Sequence, residues 1–281
     1  MAVISFLSAK CAPGVTTTVA ALAALWPGPV LVIDADPDGG DLLSGWAGPW
    51  LVDGHMGADK SVVSFASSTR HMTAIPAEGL ADHVQLVLSS PHVRLLSGVT
   101  SRAQAQAIGV EGWRRLASAA VELSTSGEPD VLVDAGRWGA QTPWPLLSDA
   151  DLVLVGVRPT LRHVTATLPL VDALRESVAA ERIGAAVSVT TSREADNVAE
   201  ALGIPVGVEL PDDPAGARMF SDGSATHPVA NRRSPLVRTA STAARRLHHR
   251  VNPHSSTRPE PHSDATQAAR RALVATSTGG Q

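Results

Sequence analysis

Ser8-Ala9-Lys10-Cys11-Ala12-Pro13-Gly14-Val15-Thr16-Thr17-Thr18 joins a β-rich apolar run at residues 3–7 to a helix-length segment at 16–26. A strand, a tight loop of small residues and a helix N-terminus together make a phosphate-binding geometry. The first-turn amides have no helical partner, and the helix dipole favours an anion there. Gly14 lets the backbone approach a ligand closely, and Thr16 or Thr17 is placed to offer a hydroxyl to Mg²⁺. The same residues also read as a plain β–α turn with a threonine as helix cap. Pro27-Gly28-Pro29 then ends the helix, because proline cannot continue it.

Outward from this loop, the run Val30-Leu31-Val32-Ile33 ends in Asp34-Ala35-Asp36-Pro37-Asp38-Gly39-Gly40-Asp41. Side chains of an extended segment repeat every two residues, so Asp34 and Asp36 share a face. At the carboxyl end of a parallel strand that places two acids in a ligand crevice, one suited to hold Mg²⁺ through water and one to orient an attacking water. A solvated acidic turn is the other reading, since Asp, Pro and Gly are turn formers. A third run, Asp130-Val131-Leu132-Val133-Asp134-Ala135-Gly136, again ends in a carboxylate.

Further β-rich runs at 84–88, 93–96, 151–157, 185–190 and 206–210 alternate with helical stretches at 102–124, 161–182 and 194–202. Several runs are continuously apolar, as parallel strands covered on both faces are. The alternation predicts an α/β fold with a mostly parallel, doubly wound sheet. Residues 39–83 carry only weak periodicity. From Pro235 to Val251, Leu236, Ala240, Ala244, Leu247 and Val251 form one stripe of a final helix. After Asn252-Pro253 the chain is too polar to bury a core. The expected organisation is one domain over 1–250 and a disordered tail over 251–281.

In this order and spacing, the three acidic and glycine-bearing segments resemble the ParA/MinD branch of P-loop ATPases, which belongs to the SIMIBI class with a deviant Walker A loop. The family loop reads lysine-glycine-glycine-x-glycine-lysine-threonine, followed by an Asp-x-Asp strand end and a later strand ending in Asp. The stretch 151–159 resembles the next strand and turn. Leu210-Pro211-Asp212-Asp213-Pro214 resembles the late loop near the adenine base. The likeness spans roughly residues 2–250 and implies a three-layer sandwich that binds ATP and Mg²⁺. It assigns Lys10 to the signature lysine that reaches phosphate across a nucleotide-sandwich homodimer. Gly14 becomes the loop glycine, Thr16 the Mg²⁺-binding hydroxyl residue, Asp36 the water-orienting acid, Asp34 its strand-end partner and Asp134 the second motif's acid. Catalysis would rest on Asp36 and Lys10, and the metal on Thr16, Asp34 and Asp134. The nucleotide would meet Lys10, Cys11, Ala12, Pro13, Gly14, Val15, Thr16, Thr17, Pro211 and Asp212.

Three departures stand out. Val15 occupies the place of the phosphate-binding lysine, Cys11 and Ala12 replace the two glycines, and Thr190-Thr191-Ser192-Arg193 stands where an asparagine for the base is usual. Losing one ammonium from a phosphate cradle removes roughly 1.5–3 kcal/mol, about 10–100-fold in affinity. The resemblance therefore implies either an ATP-dependent dimerisation switch for partitioning or positioning, or a pseudo-ATPase scaffold beside a pilus or secretion machine.

Composition narrows the rest. Lys10 and Lys60 are the only lysines, which makes Lys10 in this loop conspicuous. The net charge of −4 gives no global polyanion-binding signature. A single cysteine excludes an internal disulfide and suits a cytoplasmic location. No apolar run is long enough for a membrane span, and the N-terminal residues read as a strand rather than a leader. The ten histidines show no zinc spacing. Arg232, Arg233, Arg238, Arg245, Arg246 and Arg250 lie in an acid-free stretch, which reads either as a patch for non-specific DNA contact or as a solvated helix face. Trp138 and Trp144 follow the Asp134 strand end and read as a partner surface or as half-buried packing.

Overall fold

A computed structural model describes residues 1–10, 14–72, 75–127, 129–189, 191–223 and 233–252. Cys11, Ala12, Pro13, Thr190, Arg232 and residues 253–281 of the tail expected over 251–281 lie outside these, whereas Val251 and Asn252 are described, as the end and cap of the last helix. The strands are β1 Val3–Ser8, β2 Val30–Asp34, β3 Gln85–Leu86, β4 Val93–Leu96, β5 Asp130–Arg137, β6 Leu152–Val157, β7 Ile183–Val189 and β8 Val206–Pro211. They form one sheet in the order β3-β4-β2-β5-β1-β6-β7-β8, parallel except for the short β3 against β4.

The helices are α1 Val15–Ala24, α2 Gly48–Val52, α3 Val62–Ser68, α4 Arg102–Thr125, α5 Trp144–Ser148, α6 Leu161–Arg175, α7 Ser192–Leu202, α8 Pro214–Ser221 and α9 Pro235–Val251. The two-residue alternation of each strand sorts its side chains between two cores. Val3, Leu31, Ile33, Val131, Val133 and Val153 pack beneath α4, α5, α6 and α7. Ile4, Phe6, Val30, Val32, Leu132 and Leu154 pack beneath α1, α8 and α9. The result is the expected three-layer sandwich around a doubly wound sheet.

Some expected boundaries move for physical reasons. The run at 161–182 is not one helix: α6 ends at Arg175, and a short 3-10 turn at Ala180–Arg182 leads into β7. α4 breaks at Gly109, whose φ of 64 and ψ of 176 are not helical. The expected strand at 84–88 shrinks to two residues at the sheet edge. The weakly periodic stretch 39–83 holds α2, α3 and a 3-10 turn at Ala77–His83, elements too short to show a period. The predicted stripe of α9 is buried at Leu236, Ala240, Ala244 and Leu247, with Val251 half-buried.

At the amino-terminal edge of the sheet, Asp130 ties three elements together. Its Oδ1 accepts from the Ala2 amide (2.9 Å) and Asn252 Nδ2 (3.0 Å). Its Oδ2 accepts from Trp26 Nε1 (2.9 Å) and pairs with His248 Nδ1 (2.8 Å). The carboxylate is almost fully buried, a state tolerated only because every oxygen is engaged. Asp130→Ala strands these donors, and the expected loss is roughly 3–5 kcal/mol. Urea unfolding followed by tryptophan fluorescence should show a lower midpoint at unchanged slope. A loss below about 1 kcal/mol would mean that the knot does not hold the fold.

Candidate functional site

β1 pairs with β6 on one side and β5 on the other. α1 leaves β1 over one face of the sheet, whereas α6 leaves β6 over the other. Parallel strands whose connections diverge in this way open a crevice at their carboxyl ends, where α/β folds bind ligands. The loop after β1 lies there. Gly14 takes the cap position of α1 at φ 87 and ψ 31, with no side-chain cap bond. Only glycine adopts that left-handed conformation without strain. The alternative reading of a threonine cap therefore does not hold: Thr16, Thr17 and Thr18 sit inside the first turn. The Thr18 amide bonds the Gly14 carbonyl at 2.8 Å, and the amides before it face the crevice end unpaired within the helix.

Three acids line up beside this turn. Asp34 and Asp134 are direct neighbours across β2 and β5, and both are fully buried. Asp34 Oδ2 accepts from the Leu42 amide at 3.1 Å, and Asp134 Oδ1 accepts from the Gly136 amide at 3.0 Å. Asp134 Oδ2 is buried with no hydrogen-bond partner. Burial, then the charge of Asp134, raises the Asp34 pKa well above the usual carboxylate range. Burial likewise raises Asp134 to about 6, opposed by the Thr16 hydroxyl and the Gly136 amide. Asp36 is partly buried, and burial raises its pKa too. Its carboxylate lies over Gly136, which has φ 64; a Cβ there would fall 2.1 Å from Asp36 Cγ, so only glycine fits. Asp38 is different: ion pairs with Arg102 (2.7 Å) and Arg137 (2.8 Å) hold its pKa below the usual range.

Two cavities meet at the start of α1. One, of about 350 Å³, is walled by Ser8, Thr16, Thr17, Asp36, Asp41 and Arg137. The other, of about 330 Å³, is walled by Val15, Thr17, Arg158, Ser188, Pro211 and Asp212. Gly14, Val15 and Thr17 border both. The predicted residues Gly14, Val15, Thr16, Thr17, Asp36, Pro211 and Asp212 thus converge. Asp34 and Asp134 lie behind the wall rather than on it, Asp134 next to Thr16. Lys10 is exposed and borders neither cavity. Asp213 accepts from Gly216 (3.0 Å), Ser234 (2.8 Å) and Leu236 (3.2 Å), fastening the Pro211–Asp212 turn to α8 and α9.

The sequence reading missed Asp38, Arg102, Arg137 and Arg158. The signal for Arg158 was available: it directly follows the apolar run of β6. Trp138 and Trp144 pack half-buried against the core. Arg233, Arg238, Arg245, Arg246 and Arg250 are exposed. The last three lie toward the Asp130 end of α9, at the sheet edge opposite the crevice.

The oxygen-rich set of Thr16, Asp36 and Asp134 suits a hard cation such as Mg²⁺, and the partnerless Asp134 oxygen leaves an acceptor for it or for its water shell. Among the described residues no three His, Cys, Asp or Glu side chains form a metal cage. That agrees with Mg²⁺ chemistry, which uses one or two protein ligands together with phosphate oxygens.

No family profile and no curated protein matches the sequence. Solved structures do match its fold. A ParA family ATPase from Chlorobium tepidum superposes with TM-score 0.67 at 19% identity, over 86% of this chain and 98% of that one. MinD of the Aquifex aeolicus MinC:MinD complex gives 0.65 at 18%, over 88% and 95%. MinD from Pyrococcus horikoshii with Mg-ADP gives 0.56 at 15%, over 86% and 93%. The chain has the P-loop fold of the ParA and MinD ATPases.

The buried acids set a pH dependence. A carboxyl whose folded pKa is raised contributes stability fully below its unfolded pKa, near 4, and loses it as pH rises through the folded value, here about 6. At pH 7.5 Asp134 therefore opposes folding by about 3 kcal/mol. Asp134→Asn should raise Tm relative to the native chain by roughly 6–12 °C at pH 7.5, and the difference should vanish toward pH 4. A Tm difference that is negative or independent of pH would contradict this charge balance.

Proposed function

We propose that this chain is an ATP-binding dimerisation switch of the ParA/MinD kind, acting in the partitioning or positioning of a cellular cargo. The observation that carries this reading is the convergence, at the β1–β6 crevice, of a glycine-headed helix N-terminus with Thr16, Thr17 and Asp36. In this reading the first-turn amides of α1 bind phosphate oxygens. Thr16 and Asp134 hold the cation and its water, and Asp36 orients a water for attack. Pro211 and Asp212 border the base. Mg²⁺, when bound, neutralises the phosphate charge. Lys10, exposed beside the crevice, is free to meet the nucleotide of a second copy. The Mg-ADP complex of a MinD with the same fold supports the cofactor, and a MinC:MinD complex supports a protein partner.

One observation favours slow or absent hydrolysis and so a pseudo-ATPase scaffold. Val15 is only 8% exposed and packs into the core beneath α1. It makes no charge available, and missing transition-state stabilisation of this type typically lowers rates ~10²–10³-fold. Calorimetric titration with ATP and Mg²⁺ on the full chain is the test. Micromolar binding is expected in the native chain, with tighter binding in Val15→Lys and a shift toward dimer with ATP. No binding by either protein would remove the switch and leave the scaffold.

A further inference from the structure

We infer that Arg158 supplies, from within the same chain, the phosphate-binding positive charge that is absent at position 15. This rests on the nucleotide reading above and names the residue that makes such binding work without a loop lysine.

The register of the central strands places it. Ser8 stands opposite Gly156, so the chain leaves β1 and β6 side by side. Arg158 emerges two residues beyond Gly156, beside the loop that follows Ser8. It shares the wall of the 330 Å³ cavity with Gly14, Val15, Thr17 and Thr18, and it is the one cation on that wall among the described residues. The other cations near the crevice are committed or displaced. Arg137 and Arg102 pair with Asp38, and Lys10 lines neither cavity.

The present contacts of Arg158 leave it ready for an anion. Its Nη1 lies 3.9 Å from Asp212 Oδ2, and the two side chains are 42% and 47% exposed. An ion pair of that length and exposure is weak. Its Nε is buried and has no hydrogen-bond partner. A guanidinium N–H removed from water without an acceptor is unfavourable until an acceptor arrives. A phosphate is the ligand that satisfies it best, because the planar fork donates two parallel bonds to adjacent phosphate oxygens. Asp212 then acts as a resident counter-ion that the phosphate displaces. The positive character of this corner is visible at His163 in the first turn of α6. Burial, and then the nearby Arg162, Arg158 and Lys10, hold its imidazole below the usual range.

The test is Mg·ATP binding to the full chain, measured by calorimetry for the native protein, Arg158→Ala, and Arg158→Ala combined with Val15→Lys. AMP serves as a probe lacking the outer phosphates. Thermal melting checks that each variant is folded. Arg158→Ala should weaken ATP binding about 10–100-fold and AMP binding far less, and the added Val15→Lys should restore most of the loss. If native protein and Arg158→Ala bind ATP equally, the proposal is overturned while the nucleotide reading stands. An equal loss for AMP and ATP would place Arg158 in support of the base-side turn through Asp212, and would also overturn it. A native chain that binds no ATP at all removes both readings together.

Discussion

Parallel strands present all their carboxyl ends at one edge, and in this chain the adjacent strands β1 and β6 send their helices to opposite faces. That constraint fixes the position of the crevice before any side chain is considered. The apolar alternation of β1, β2, β5 and β6 supplies both cores. The burial of α1 against one of them aims the Gly14 turn into the gap. Asp213 clamps the far lip by holding α8 to α9, while Asp130 closes the opposite edge. Stability is thus concentrated away from the crevice, and the crevice itself is left with imperfectly satisfied groups.

Those groups carry a charge imbalance. Asp34, Asp36 and Asp134 gather within one β2–β5 corner, two of them wholly buried, and one oxygen has no partner. Among the described residues Arg137 offsets part of the charge on Asp36, and both Arg137 and Arg102 also pair with Asp38. A cation on the acidic side and an anion on the Arg158 side would each relieve an unfavourable burial. Mg²⁺ with a nucleotide phosphate brings both signs at once. In the proposed reading the positive side of this arrangement lies at the neighbouring strand end, on Arg158, rather than at Val15 in the loop.

Much of the fold was legible because its strands are continuous apolar runs and its long helices carry clear stripes. The loop at Ser8–Thr18 and the strand ends at Asp34 and Asp134 were legible as well, because Gly, Thr and Asp recur at strand ends there in a single order and spacing, although each alone also suits a cap or turn. What escaped had no local signature. Asp38 and Arg137 are 99 positions apart, and Arg102 comes from a third element; only the sheet order brings them together. Arg158 has no motif of its own, and only the pairing of β6 with β1 brings it to the wall shared with Gly14 and Val15. The helices between residues 39 and 83 are shorter than two turns or nearly so, and a period needs more residues than that to be seen.

The claim on which the account turns is that a nucleotide occupies the β1–β6 crevice, phosphates on the α1 turn and base toward Pro211 and Asp212. Amide hydrogen exchange with and without a saturating Mg²⁺-bound, non-hydrolysable ATP analogue measures this directly. The account predicts slowed exchange at residues 14–18 and 212–213, with the Asp130 edge unchanged. Unaltered exchange at both crevice segments under saturation, or protection confined to another part of the surface, would contradict it.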